Sequence, residues 1–388
     1  MVAKHNSCRR DFIKKASVLT GGMSIAGNSV LARSGRTLSM ENPLPKWKGF
    51  NLLDFFSPNQ RRRYHKSSEE DFKWMSDWGF DFVRIPMSYP SYLEFNRRRD
   101  ISPEEVYQIS EEALERVDKL VFMAHKYHIH VSLNLHRAPG YCINAGFHEP
   151  YNLWKDEAAQ EAFYWHWSMW ARRYKNISRE KISFDLLNEP AMIDDMNNQH
   201  ASKTIVPGAI YAKVAEKAAN AIWKQNPDHL VIADGNEVGA KVIPEITHLP
   251  IAQSCRGYYP HIISHYKAPW AMKDFNHLPP LKYPGQVGDQ YLSRKMLEDF
   301  YAPWIALAKS GTGVHCGECG AYIETPHDVF LAWFGDVVDI LGSNGIGFSL
   351  WNFRGSFGIL DSGRKDVDYE DWHGHKLDRK LLDLILKH

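Results

Sequence analysis

The sequence predicts an α/β fold made of a single (β/α)8 TIM barrel with elaborated loops after its strands. Three observations predict it. From Lys48 onward, short apolar runs alternate with longer amphipathic stretches, the pattern of βα units around a parallel sheet. Eight such apolar runs can be counted. Two of them end on a glutamate, Glu189 and Glu318, and barrels of this kind carry reactive groups at the carboxyl ends of their strands.

The runs fall at residues 49–53, 80–85, 130–135, 182–187, 230–233, 251–257, 312–317 and 345–350. The fourth stops at Asn188-Glu189, because Pro190 forbids continuation of a strand ladder. Helical periodicity fills the gaps. Over 103–126, Val106, Ile109, Ala113, Val117, Leu120 and Val121 share one side. Ser102-Pro103-Glu104-Glu105 opens that stretch with an N-cap residue, a proline at the first position and early acids. Residues 158–174 and 209–225 read similarly. The segment 266–303 is rich in proline and aromatics and is expected to form a lid between strands six and seven. Residues 192–207 and 353–374 are expected as further rim loops.

The amino terminus reads as an address. Cys8-Arg9-Arg10-Asp11-Phe12-Ile13-Lys14-Lys15 resembles a twin-arginine export signal, followed by a weakly apolar region to Val30-Leu31-Ala32. An amphipathic amino-terminal helix is the alternative. The expected organisation is therefore a signal over 1–32, a linker over 33–46 and a barrel over 47–388, in the periplasm or secreted. No later run reaches the ~18 apolar residues of a membrane span, so no membrane association is expected after signal removal.

A formal net charge of +1 gives no hint of nucleic acid or another anionic partner. The 13 Trp, 18 Tyr and 19 Phe serve mainly as core, but aromatic faces also stack on the apolar faces of sugar rings. Cys8, Cys142, Cys255, Cys316 and Cys319 are too few and scattered for a disulfide scaffold. Cys316 and Cys319 have Cys-x-x-Cys spacing, which fits a redox pair or half a metal site, or two buried thiols flanking Glu318. No His-Glu-x-x-His occurs, and neither metal nor cofactor is expected.

Two strand-end carboxylates are what cleavage of a glycosidic bond requires. Asn188-Glu189-Pro190 and Gly317-Glu318-Cys319-Gly320 occur in order with Arg84-Ile85-Pro86, Leu135-His136-Arg137-Ala138-Pro139-Gly140 and Leu350-Trp351-Asn352. Together they resemble glycoside hydrolase family 5, the cellulase-like family, across residues 47–386. The resemblance implies a retaining β-glycosidase acting on an oligo- or polysaccharide of the β-glucan type. It makes Glu318 the nucleophile and Glu189 the acid/base. Such a pair should stand about 5–5.5 Å apart, against roughly 6.5–9.5 Å for an inverting pair. A mannan- or xylan-type substrate, or a catalytically silent sugar-binding barrel, are the alternatives; the oligomeric state is left open.

The resemblance also implies binding residues. Asn188 should bond the sugar 2-hydroxyl. Arg84 should reach the nucleophile, or form a plain strand-end ion pair. His136 should bind a hydroxyl or be structural. Trp351 should be a platform under the sugar or core. Tyr141 and Trp154 either line sugar subsites or pack their loop. Tyr258 fits a tyrosine of the family's strand-six His-x-Tyr. Arg256 then stands where the histidine is expected. A cation beside Glu189 would favour its ionised form, so either Arg256 points into the barrel wall or the acid is tuned differently; His261 or His265 could then supply the contact.

Overall fold

The structure is a computed structural model that describes residues 41–58, 66–272, 274 and 277–388. Arg9, Arg10 and the rest of the expected export signal lie outside the described residues. Eight parallel strands close a barrel: β1 (Lys48–Asn51), β2 (Phe82–Ser88), β3 (His130–Ala138), β4 (Ile182–Asp185), β5 (Leu230–Asp234), β6 (Ile251–Gly257), β7 (Val314–Cys319) and β8 (Gly347–Leu350). Each pairs with its sequence neighbours, and β1 pairs with β8 to close the ring. The long helices are α1 (Glu69–Asp77), α2 (Glu111–Lys126), α3 (Glu157–Arg173), α4 (Gly208–Trp223), α5 (Arg294–Lys309), α6 (His327–Ser343) and α7 (Arg379–Leu386). Between β5 and β6 the described residues form only the short turns Asn236–Gly239 and Pro244–Ile246.

Local chemistry sets the boundaries. α1 starts at a capping box: Ser68 Oγ accepts from the Asp71 amide and Asp71 returns the bond to the Ser68 amide. β1 and β2 approach so closely that a Cβ on Gly49 would lie 1.6 Å from the Phe82 carbonyl oxygen. Only glycine fits there.

The barrel interior is layered by the two-residue period of the strands. The lowest layer is apolar and aromatic: Trp47 stacks on His130 at 4.1 Å, and Leu44, Phe82, Leu230, Ile232 and Ala252 pack with it. The upper layer, next to the carboxyl ends, is charged, with Arg84, Asp185, Asp234 and Arg256 all buried.

The structure corrects four expectations. Residues 41–46 are not a free linker: Asn42 donates to the Val314 and Gly345 carbonyls, and Leu44 is buried at the barrel base. The helix expected from 103 begins only at Glu111. The Glu105 carboxylate binds Arg99 and the Ser102 and Asn96 amides, which reels the chain into one tight turn. Ile109 then bridges to Leu93 in extended form. The expected lid over 266–303 ends earlier, because α5 starts at Arg294 and carries Pro303 inside it. Arg84 sits inside β2 rather than at its end.

Candidate active site

A cleft of about 610 Å³ opens at the carboxyl ends of the strands, and both Glu189 and Glu318 line it. Each reaches it by a backbone irregularity. On β7, Cys316 pairs with Cys255 and Glu318 with the very next residue of β6, Arg256. The extra residue is a bulge, and bulges re-aim side chains beside reactive centres. Strict alternation would put Cys316 and Glu318 on one face. The bulge leaves the Cys316 thiol in the wall, against the Glu318 carbonyl, and brings the Glu318 carboxylate inward. Gly317 makes room: a Cβ there would lie 2.6 Å from Ser254 Oγ and 3.1 Å from Arg256 Nη1.

Glu189 follows β4 with φ at +48°, a left-handed conformation uncommon for a residue with a side chain. The surroundings hold it there. Its amide donates to Asp234 Oδ2 at 3.0 Å, and its carbonyl accepts from the Tyr141 hydroxyl at 2.7 Å. Strain of this kind persists only where neighbours over-determine it, and it clusters at functional sites.

Behind the two glutamates lies a buried ionic cluster. Arg84 donates to Asp185 and to Glu318, each at 2.6 Å, to Asn188 Oδ1 at 3.0 Å and to Asn51 Oδ1 at 3.2 Å. Arg256 donates through Nε to Glu189 at 3.1 Å, through Nη1 and Nη2 to Asp234, and through Nη2 to Asn188 at 3.0 Å; Nη2 also stands 3.4 Å from Glu318. The Tyr258 hydroxyl donates to the other Glu318 oxygen at 3.1 Å.

Two guanidinium groups thus face four carboxyl groups: Asp185, Glu189, Asp234 and Glu318. Such a cluster is neutral when two of the four keep a proton. Burial, then the charge of Glu318, raises Glu189 to about 8 against the pull of Arg256. Burial, then the charge of Asp234, raises Asp185 to about 7 despite its bond to Arg84. The 2.6 Å contact and the upward shift pull in opposite senses. Burial outweighs the bond: Asp185 is 2% exposed and its Oδ1 has no partner among the described residues.

The other expected residues divide by position. Trp351 lines the cleft, its ring stacked on His136 at 5.7 Å and touched edge-on by Phe56. His136 also lines it. Burial and the nearby arginines hold its imidazole well below its usual range, so it is neutral. Its Nε2 lies 2.9 Å from Asn144 Nδ2, leaving Nδ1 without a partner among the described residues. Arg84 and Asn188 stand behind the cleft wall, where they orient the carboxylates. Asn188 Oδ1 takes both arginines, and its Nδ2 is left unpartnered among the described residues.

Tyr141 and Trp154 do not line the cleft; this corrects the subsite expectation. Tyr141 is fully buried under the Glu189 carbonyl, and Trp154 donates to the Ala191 carbonyl while packing on Tyr141. Both pin the loop that carries Glu189. Arg256 faces the carboxylates, and it is Arg256, not His261 or His265, that bonds Glu189. Cys142, Cys255, Cys316 and Cys319 are free, buried thiols.

Sequence reasoning missed Asp234, Asp185 and Phe56, the last of which lines the cleft; Trp270, in the segment expected as a lid, lines it as well. Asp234 carried a readable signal: a carboxylate directly after the apolar run 230–233, at the carboxyl end of its strand.

A proton held on one buried carboxyl, a second carboxylate bonded to a cation, and an aromatic ring lining the same cleft can break an acetal. The fold and site define a glycoside hydrolase. Residues 39–356 match the family model "Cellulase (glycosyl hydrolase family 5)", and the chain belongs to that family. Endoglucanase C of Acetivibrio thermocellus is 25% identical over 331 residues, spanning 78% of this chain and 89% of its own. Cellodextrinase A of Ruminococcus flavefaciens is 25% identical over 313 residues, spanning 77% and 83%. The crystal structure of a glycoside hydrolase superposes with a TM-score of 0.78 at 34% identity, over 88% of this chain and 99% of that one.

Proposed function

We propose that this enzyme hydrolyses β-glucosidic bonds of a β-glucan with retention of configuration, through a covalent glycosyl-enzyme intermediate. Glu318 attacks the anomeric carbon while Glu189 gives its proton to the departing oxygen. Glu189 then takes a proton from water, which displaces Glu318 and restores both groups. The names of the relatives, an endoglucanase and a cellodextrinase, support a β-glucan as substrate.

One observation carries the reading: the two cleft carboxyls are treated oppositely. Glu318 accepts from Arg84 at 2.6 Å and from the Tyr258 hydroxyl at 3.1 Å. Glu189 is buried and pushed upward to about 8. Trp351 supplies the floor beneath the sugar. His136 lines the cleft, and Asn188 stands behind its wall; Asn188 Nδ2 and His136 Nδ1 are buried polar atoms with no partner among the described residues. The alternative of a silent sugar-binding barrel would leave this raised acid beside a bonded carboxylate without a purpose.

The test is the anomer released first. Proton NMR of a β-glucan digest should show the β-anomer appearing before mutarotation mixes the two. The α-anomer appearing first would mean inversion and would remove Glu318 as nucleophile. Running mannan and xylan in parallel decides the sugar.

The acid role makes a second, signed prediction. Glu189 works while protonated, so kcat/KM should be full below its pKa and fall as pH rises through about 8. An alkaline limb near the ordinary carboxyl value of 4.5 would show that burial does not tune this acid.

A further inference from the structure

We propose that Arg256 and Asp234 act as one positioning pair for the reaction: the guanidinium ties Glu189 to Glu318, and Asp234 offsets its charge so that a cation can stand there without discharging the acid. The inference rests on the proposed acid and nucleophile roles and adds two residues to them.

Arg256 is 3% exposed and bonds through all three of its nitrogens. Nε reaches Glu189, Nη1 reaches Asp234 and Ser254, and Nη2 reaches Asn188 and Asp234 and stands against Glu318. A planar fork with five donors can serve that many acceptors; an imidazole has two nitrogens and a lysine a single point charge. The fold is shaped around it at two places. A Cβ on Gly317 would lie 3.1 Å from Nη1, and one on Gly239 would lie 2.5 Å from Cγ. Gly239 closes the turn after β5, where φ is +77°, after Glu237 at +51° and Val238 at +63°. A β-branched residue in that region is a genuine outlier, and here it lies in the turn wrapped on the arginine stem.

Asp234 is the second half. It is fully buried, binds two nitrogens of Arg256, and accepts from the Glu189 amide. It therefore fixes both the backbone of the acid and the cation beside its carboxyl. The other groups facing Glu189 are Glu318 on β7, Tyr258 on β6, Tyr141 and Cys142 after β3, and Lys203 after β4. Among the charged groups nearest the acid, Glu318 and Asp234 push its proton affinity up and Arg256 pulls it down.

The experiment is the pH dependence of kcat/KM on a β-glucan for wild type, Asp234→Asn, Arg256→Gln and the double variant, each with its unfolding midpoint. In Asp234→Asn the cation loses its nearest counter-charge, so the alkaline limb should move to lower pH by about one unit or more, the scale of a charge at this range. In Arg256→Gln it should move to higher pH. In the double variant it should return near the wild-type position while kcat stays depressed by on the order of 10²-fold, the cost of a misplaced group. Limbs that stay put in both single variants, or move in the same direction, overturn the proposal.

Should a single variant not fold, Arg256→Lys and the double variant decide. Arg256→Lys keeps the charge and loses the fork, so its limb should stay while kcat falls. Wild-type kcat in the folded double variant overturns the positioning role. Failure of the acid assignment itself looks different, because Glu189→Ala would then lose as much on an activated aryl glucoside as on the glucan.

Discussion

Glu318→Gln is expected to lower kcat by on the order of 10⁵-fold or more on every substrate, activated or not, while the barrel folds as before. The size follows from the chemistry: an amide oxygen cannot form the glycosyl ester, and removing a covalent nucleophile costs on this scale. The fold should survive for electrostatic reasons. Stranding one partner of a buried ion pair typically costs about 3–5 kcal/mol. Here Arg84 keeps Asp185 at 2.6 Å and Asp234 at 3.4 Å, and the new amide oxygen can still accept from Nη1. With Glu318 neutral, Asp185 or Glu189 can give up its proton and restore two carboxylates against two arginines. The substitution also removes the neighbouring charge that pushes the Glu189 proton up, so Glu189 should titrate lower in this variant. Turnover of an aryl β-glucoside with an unfolding midpoint measures both halves. Activity within tenfold of wild type would remove Glu318 from the chemistry.

The barrel and its two glutamates were legible because they rest on strong local signals. A strand run broken by Asn-Glu-Pro leaves a carboxylate nowhere to go but the strand end, and alternating βα units leave few topologies. What escaped was set by tertiary contacts. Period-two alternation puts Cys316 and Glu318 on the same face, and nothing local announces the bulge that separates them. Arg256 was readable as a departure, but not its direction, because its meaning depends on Asp234 one strand away. Neither residue makes sense alone. An unpaired arginine at Glu189 would discharge the acid, and an unpaired aspartate there would be one more buried charge.

The 103–126 helix failed for a different reason. Its N-cap signals were real, but the Glu105 carboxylate found backbone amides and Arg99 closer at hand, and a turn satisfied it better. Tyr141 and Trp154 illustrate the limit for loops. An aromatic in a Pro-broken loop can face sugar or its own backbone, and here both serve the backbone that strains Glu189 into place.

Glu189→Ala should separate the two steps of the reaction. On an unactivated glucan the first step needs the proton, and losing general acid catalysis costs about 10²–10⁴-fold. A dinitrophenyl β-glucoside carries a leaving group that departs without a proton, so its first step should be nearly spared. The second step still lacks its base, so the glycosyl-enzyme should accumulate and appear as a burst of released phenol. Azide needs no base. Entering the space vacated by the carboxylate, it should attack the intermediate, restore turnover and give a β-glycosyl azide. The cavity favours this: Arg256 Nε loses its Glu189 partner but keeps its charge, and an anion is drawn to it. The strained backbone should hold, because Asp234 and Tyr141 grip the amide and carbonyl of residue 189 rather than its side chain. Equal losses on both substrates, with neither burst nor azide product, would mean that the proton comes from another group.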